Sequence, residues 1–389
     1  MSDRTLLGPA DLDDDALAAA VARGLGVADV EVLSCRVEVA DYDIEALTTA
    51  GRYWVRGTAQ HATGRSPYAF FVKVVQSWTR TRYFEMVPEH LRDVAAAGLP
   101  WRNEPDVYRS GLGDRLPGGL SMPEAFSVVD IDDESAALWL RAVDVDARAW
   151  TPEIFSRAAY LLGRLAASPR VRPLSLVGSQ DVVRRYAHGR VEHQIAPTLR
   201  NEELWRHPLV AEAFDSELRA RILGAMDALP GILAELDSAP LGAAHGDASP
   251  RNLLIEQGSP NAFVLIDFGF WSRAPLGFDL SQLLLGEVQL GERPAAELPE
   301  LETACLDAYV AGLRAEGCEV AWEVVRRAHA LTMLLFWGLS AVPVEVLFGA
   351  PSPPPDVFHE RARAARFVLD LVDAAAPSTQ RALSDPVRP

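Results

Sequence analysis

The sequence predicts an α+β chain in two lobes, the first rich in β-strand and the second mostly helical. Three observations carry this. Short β-branched and aromatic runs bounded by Gly, Pro or Asp fill the first 142 residues. Helical periodicity takes over after Thr151-Pro152-Glu153, an N-cap followed by Pro at the first helical position. The 389 residues also exceed the ~250–300 at which one hydrophobic core stops growing. The expected division is residues 1–142, residues 143–376, and a flexible tail at 377–389.

In chain order, Pro9 to Leu25 reads as a helix whose early Asp residues suit its dipole. Val30–Val39, Tyr53–Ala59 and Tyr68–Val75 read as strands, with a polar connection, Asp41 to Gly51, between the first two. Thr79 to Ala97 reads as a helix broken at Pro88, and Glu104 to Leu112 as a short helix. Ala125–Val129 and Ala136–Ala142 are two further strands around an acidic turn. Beyond Thr151, helix runs to Ala167, Ser168 to Pro208 is irregular, and Ser216 to Leu236 is helical again. Ala243 to Phe270 is a strand-and-loop module. From Glu300 the chain is nearly all helix, with an apolar stretch, Ala330 to Val344, expected to end near Pro343, and a proline linker at Pro351–Pro355.

Composition removes several classes of function. At 49% hydrophobic the chain has ample apolar residues for a core, which excludes a disordered protein. A net charge of −17 argues against nucleic-acid binding, which needs basic surface to displace counterions. The longest apolar stretch falls short of the ~20 residues that a membrane span requires. The opening residues, MSDRTLLGPADLDDD, lack the apolar run of an export signal. Cys35, Cys305 and Cys318 are scattered and odd in number, which suits a reducing cytoplasm rather than a disulfide framework. The basic residues are 36 Arg and a single Lys, Lys73. Arg serves everywhere else, so a lone Lys marks a place that wants a compact point charge rather than a planar fork.

The chemistry concentrates between Ala243 and Leu280. His245-x-Asp247 is followed by Asn252 and then Asp267-Phe268-Gly269. A hairpin of Leu253–Ile255 and Val264–Ile266 is expected to bring Asn252 and Asp267 to neighbouring strand ends. Their oxygens suit Mg²⁺, a hard ion that binds few protein ligands and completes its shell with phosphate oxygens. Asp247 is left to orient an attacking hydroxyl and accept its proton. Those are the parts of a phosphoryl-transfer site.

On H-x-D-x-x-x-x-N followed by D-x-G, the chain resembles the aminoglycoside phosphotransferase and choline-kinase-like branch of the protein-kinase-like fold, from about Val30 to Phe348. The resemblance implies Asp247 as catalytic base, Asn252 and Asp267 as Mg²⁺ ligands, and His245 as a brace for the loop. It implies that Lys73, in Phe70-Phe71-Val72-Lys73-Val74-Val75, meets the α- and β-phosphates of ATP or GTP. Glu104, in a segment similar to the family's E-x-x-x-Y-R, is implied as its ion-pair partner. The loop Asp41–Gly51 lacks the Gly-rich pattern, which leaves Thr48, Thr49 and backbone N–H groups to cover the phosphates. Adenine is expected on the hinge backbone around Ala142 and Val143. Gly246 replaces the Arg of protein kinases, and Asp279 follows Asp267 by only twelve residues. Both points favour a small-molecule kinase over a protein kinase.

The acceptor implied is a hydroxyl of an aminoglycoside, an aminosugar or a related antibiotic or sugar, with a role in antibiotic resistance. Acidic residues Glu192, Glu202, Glu203, Asp279 and Glu287 support a cationic acceptor. A neutral sugar, nucleoside or other metabolite is the alternative within the same fold. No nucleic-acid or membrane partner is expected, and the assembly is a monomer or homodimer. A metal-dependent hydrolase using His245, Asp247 and Asp267 would leave Lys73 unexplained, and a catalytically dead binding protein would not keep these residues. Asp279, before an apolar run, reads as a helix cap that braces the catalytic loop. His188 and His193 invite a metal reading, but the sequence offers no third ligand close by, which favours a solvated or substrate-facing role.

Overall fold

The computed structural model describes residues 4–41, 46–178, 181–348 and 354–376. The expected tail at 377–389, residues 42–45 of the expected phosphate loop and residues 351–353 of the proline linker lie outside them. The chain forms two compact units, one of Met1–Ala147 with Leu254–Phe270, the other of Arg148–Leu253 with Trp271–Pro389. The sequence drew one boundary, after Ala142; the contacts instead return residues 254–270 to the first unit.

The first unit is built on an antiparallel sheet of β1 (Glu31–Val39), β2 (Thr49–His61), β3 (Gly64–Gln76), β5 (Ala125–Asp132) and β6 (Ser135–Arg141), in the order β1-β2-β3-β6-β5. Side chains alternate along β3. Phe70 and Val72 turn to a core closed by Leu17 and Val21 of helix α1 (Asp14–Leu25) and by Trp139 of β6. Val75 turns the other way, into a second cluster with Leu138, Leu140 and the partly buried Trp101 and Tyr108. The same alternation puts Lys73 on the Val75 face. That face receives α3 (Asn103–Arg109), which follows α2 (Arg92–Gly98). The short β4 (Leu120–Ser121) pairs in parallel with β9 (Phe263–Leu265), and the chain re-enters this unit at β8 (Leu253–Leu254).

Two expectations in this unit change. The helix expected from Pro9 begins at Asp14, because Asp13 caps it by accepting a hydrogen bond from Ala16 N at 2.8 Å; a 3-10 turn occupies Thr5–Ala10. β2 and β3 run beyond their hydrophobic stretches, because the hairpin ladder continues over polar residues from Arg52 opposite Lys73 to His61 opposite Gly64.

In the second unit α4 (Pro152–Ala167) packs along α12 (Leu298–Ala315). The backbones come so close that a Cβ on Gly163 would lie 2.1 Å from Tyr309 O, and one on Gly312 would lie 2.0 Å from Tyr160 O. Between them the chain forms short helices α5 (Val182–Tyr186), α6 (Ala196–Leu199), α7 (Glu202–Arg206) and α8 (Pro208–Ala213). A π-helix, Ala187–Ile195, joins the first two. α9 (Ser216–Asp227) and α10 (Leu229–Asp237) then lead into β7 (Leu241–Ala244), which pairs antiparallel with β10 (Ser272–Pro275). α11 (Phe278–Gln289), α13 (Trp322–Phe336) and α14 (Pro355–Ala374) complete the unit. The helix expected to reach Pro343 stops at Phe336, where Trp337 leaves helical geometry and Gly338 opens a 3-10 turn. Among the described residues, no helix is long and apolar enough to cross a membrane.

Candidate active site

In the first unit, Lys73, Glu104 and Asp267 come together from β3, α3 and the segment after β9. Lys73 Nζ lies 2.6 Å from Glu104 Oε2 and 3.0 Å from Asp267 Oδ1. The Lys73 and Glu104 side chains are 7% and 2% exposed, whereas that of Asp267 is 34% exposed. Burial alone would lower the lysine pKa, but the Asp267 and Glu104 carboxylates outweigh it and raise the value. Burial raises the Glu104 pKa against the pull of Lys73. Helix α3 also grips the segment after Asp267: Asn103 Nδ2 donates to Gly269 O at 3.1 Å, and the Tyr108 ring meets Phe268 edge-on at 5.7 Å. Asp267 itself has φ +62, a left-handed conformation that Asp tolerates better than most residues and that marks functional turns.

Arg52 was missed by the sequence reading. It stands opposite Lys73 across β2 and β3, and directly paired residues share one face of a sheet. Arg52 and Thr49 line a cavity of about 580 Å³ with Leu47, Gly51, Gln76 and Arg82. Thr48 lies in the turn before β2, where its carbonyl accepts from Gln76 N at 2.9 Å. Ala142 and Val143 lie in an irregular stretch after β6, just before a bridge between Val145 and Glu256.

In the second unit, β7 delivers His245, Gly246 and Asp247. His245 is fully buried, and its Nδ1 accepts from Asp247 N at 3.3 Å, so the ring holds the loop's shape. Gly246 has φ +88, a conformation that an Arg there would adopt only under strain. Asn252 Nδ2 donates to Asp247 O at 2.9 Å and to Asp247 Oδ2 at 2.8 Å. Asp279 secures the loop from α11: Oδ2 accepts from His245 N and Oδ1 from Gly246 N, each at 2.9 Å. Burial pushes the Asp279 carboxyl up to about 6, against the two N–H bonds that favour its charge. Asp279 is not the cap of α11, a position held by Gly277 with φ +90. Gly277 is clamped in turn, its N–H donating to Tyr309 Oη at 3.0 Å and its carbonyl 3.3 Å from His329 Nδ1. The sequence could not supply that chain of supports, because Tyr309 and His329 lie 32 and 52 residues away.

The sequence model of the phosphotransferase enzyme family, which includes the aminoglycoside phosphotransferases, matches residues 64–317. The chain belongs to that family. It is a phosphotransferase acting on small molecules. One solved structure supports the fold. An aminoglycoside phosphotransferase from Alicyclobacillus acidocaldarius is similar at TM-score 0.51 and 15% identity, over 88% of this chain and 92% of that one. Amicoumacin kinase, solved with AMP-PNP, Ca²⁺ and Ami, matches at 0.46 and 14% over 90% and 92%. Plasmodium vivax ethanolamine kinase matches at 0.44 and 11% over 87% and 83%. No curated protein matches the chain. The fold of this phosphotransferase is protein-kinase-like, with a β-sheet-rich N-lobe and a mostly helical C-lobe.

Proposed function

We propose that the protein transfers the γ-phosphoryl group of ATP, or GTP, to a hydroxyl group of a small molecule. The observation that carries this reading is the enclosed Lys73–Glu104–Asp267 cluster in a chain of a phosphotransferase family. Lys73 donates to the α- and β-phosphate oxygens while Glu104 holds its ammonium in place. Arg52 adds a second cation on the same face of the sheet. Thr48, Thr49 and adjacent backbone N–H groups cover the phosphates, and the backbone at Ala142 and Val143 meets the adenine. Asp247 accepts the proton of the acceptor hydroxyl as that oxygen bonds to the γ-phosphorus. The bond from the phosphorus to the bridging oxygen breaks, and the nucleoside diphosphate leaves.

Asn252 and Asp267 fit a Mg²⁺ ion. The Asn252 amide nitrogen is engaged with Asp247, which leaves its carbonyl oxygen as the ligand atom, and Asp267 adds a carboxylate, so both donors are the hard oxygens this ion prefers. When bound, the ion neutralises charge on the β- and γ-phosphates. Three cysteines present as thiols rather than disulfides suit work in the cytoplasm.

An aminoglycoside or aminosugar acceptor, as in antibiotic resistance, is one reading of the substrate. One observation favours a neutral acceptor as a second. Of the five acidic candidates, Glu287 pairs with Arg293 at 2.8 Å, Glu202 pairs with Arg219, and Asp279 is engaged by the catalytic loop. Only Glu192 and Glu203 then remain to attract an amine, and Glu192 already meets His188. The test is ATP consumption with and without Mg²⁺ against a panel of aminosugars, neutral sugars and nucleosides. Turnover with one class identifies the acceptor; absence of nucleotide binding at millimolar ATP and Mg²⁺ rejects the reading.

A further inference from the structure

His188 and His193 do not read as partners in an α-helix, where 100° per residue sets the second roughly 140° around the axis from the first. The chain winds differently here. Ala187–Ile195 is a π-helix, whose i→i+5 ladder turns by roughly 80° per residue, so residues i+4 and i+5 flank residue i at about 40° on either side. Ala187, Val191 and Ile195, four apart, form the buried side of this winding. His188, Glu192 and His193 form the exposed side.

The three side chains converge. The two imidazole rings meet edge-on with centroids 5.3 Å apart, and His188 Nδ1 lies 2.9 Å from Glu192 Oε2. One ligand atom from each residue falls within 4.8 Å of the others. Glu192 is thus the third ligand that the spacing of the histidines did not reveal.

We infer that His188, Glu192 and His193 form a binding site for a divalent transition-metal ion of the zinc class, with solvent completing its coordination. Two imidazoles and one carboxylate match Zn²⁺, Ni²⁺ or Cu²⁺ and not Mg²⁺, which takes oxygen donors. Ligand atoms around a tetrahedral zinc stand about 3.4 Å apart, given bonds of about 2.1 Å. All three side chains are exposed, so no core packing fixes them at their present separations. The π-helix gives the site a purpose. Such winding is rare beyond a single turn and recurs at functional sites. An ion chelated across positions i, i+4 and i+5 is held by this winding and stabilises it by mass action. The site is separate in donor chemistry from the all-oxygen Mg²⁺ site proposed for phosphoryl transfer.

The test is calorimetric titration of the EDTA-treated full chain with ZnCl₂ near neutral pH, in the presence and absence of millimolar Mg²⁺. The expected result is one zinc per chain with micromolar or tighter affinity that Mg²⁺ does not displace. His188→Ala and His193→Ala are each expected to weaken it by ~10-fold or more, on the scale that lost ligand contacts command. Cobalt(II) is expected to give visible d–d bands in the wild type that vanish in the double variant, and zinc is expected to raise the thermal midpoint only when both histidines are present. All three residues are exposed, so the variants should fold, with circular dichroism as the check. No saturable binding below ~100 μM zinc, or an unchanged titration in the double variant, overturns the site. So does an equal loss in His90→Ala, an exposed histidine elsewhere, since that marks adventitious surface binding.

Discussion

Lys73 Nζ and Glu104 Oε2 stand 2.6 Å apart, with both side chains almost wholly withdrawn from water. A charge in that position is tolerated only with its partner, since removing one member of a buried pair leaves the other uncompensated at a cost of about 3–5 kcal/mol. The ammonium also faces Asp267, so two carboxylates share one small cation. Lys73→Arg is therefore expected to lower turnover by ~10-fold or more while the fold persists, because a guanidinium is longer and clamps one carboxylate with two parallel bonds. Steady-state kinetics at saturating ATP, with circular dichroism as control, measures this. Unchanged kinetics would reduce Lys73 to any convenient cation.

Asp247 and Asp267 are assigned different work, and substitution separates them. Asp247→Asn is expected to bind nucleotide normally and lose at least ~10²-fold in turnover, the scale of a positioned base. Asp267→Ala is expected instead to weaken Mg²⁺-nucleotide binding, read by titration of the nucleotide with and without the ion. Wild-type turnover in Asp247→Asn would reject the base assignment.

Much of this was legible in the chain because composition and pattern pointed the same way. Lys73 stood out among 36 Arg residues, and strand alternation placed it on the face that α3 covers. What escaped the sequence were features set by pairing or distant packing. Arg52 enters the Lys73 face only through the ladder register, which extended β2 beyond its apolar run. Phe336 ends α13 well before Pro343 because the backbone turns at Trp337 and Gly338, inside an apolar run that otherwise continues toward the proline. His193 joins His188 and Glu192 only because the local winding is not that of an α-helix.

Asp279 reaches no reacting atom in this scheme, yet it holds the N–H groups of both His245 and Gly246. Asn at this position offers one acceptor oxygen and turns an amide N–H₂ toward a donor. Asp279→Asn is expected to lower kcat by ~10-fold or more, since removing a buried acceptor costs about 1–3 kcal/mol where it acts, and to change KM for ATP far less. A matching change in both parameters would point to global disruption rather than to the loop.

Glu302 gives a pH dependence of stability. Its carboxyl lies 3.7 Å from the buried His329 ring, and burial pushes its pKa from 4.5 up to about 7. The folded state then holds this proton more tightly than the unfolded chain, so stability is full below about 4.5 and falls as pH rises toward 7. His329, lowered by burial to about 4, acts in the opposite sense, losing stability as pH falls from 6.5. Glu302→Gln imitates the protonated acid. It is expected to match the wild type near pH 4 and to exceed it near pH 8 by ~1–3 kcal/mol. Thermal unfolding at the two pH values decides, and a variant less stable than wild type at the higher pH would refute the sign.

The lone lysine has a further use. Amine-directed reagents find one side-chain target in the whole sequence, and that target is enclosed by two carboxylates. The rate at which Lys73 is acylated therefore becomes a built-in gauge of how often this cluster opens, readable by peptide mass mapping, which separates Lys73 from the chain's α-amine, without any label or engineered probe. Ligands that occupy the phosphate-facing side would slow the reaction, and each could be ranked by the protection it confers.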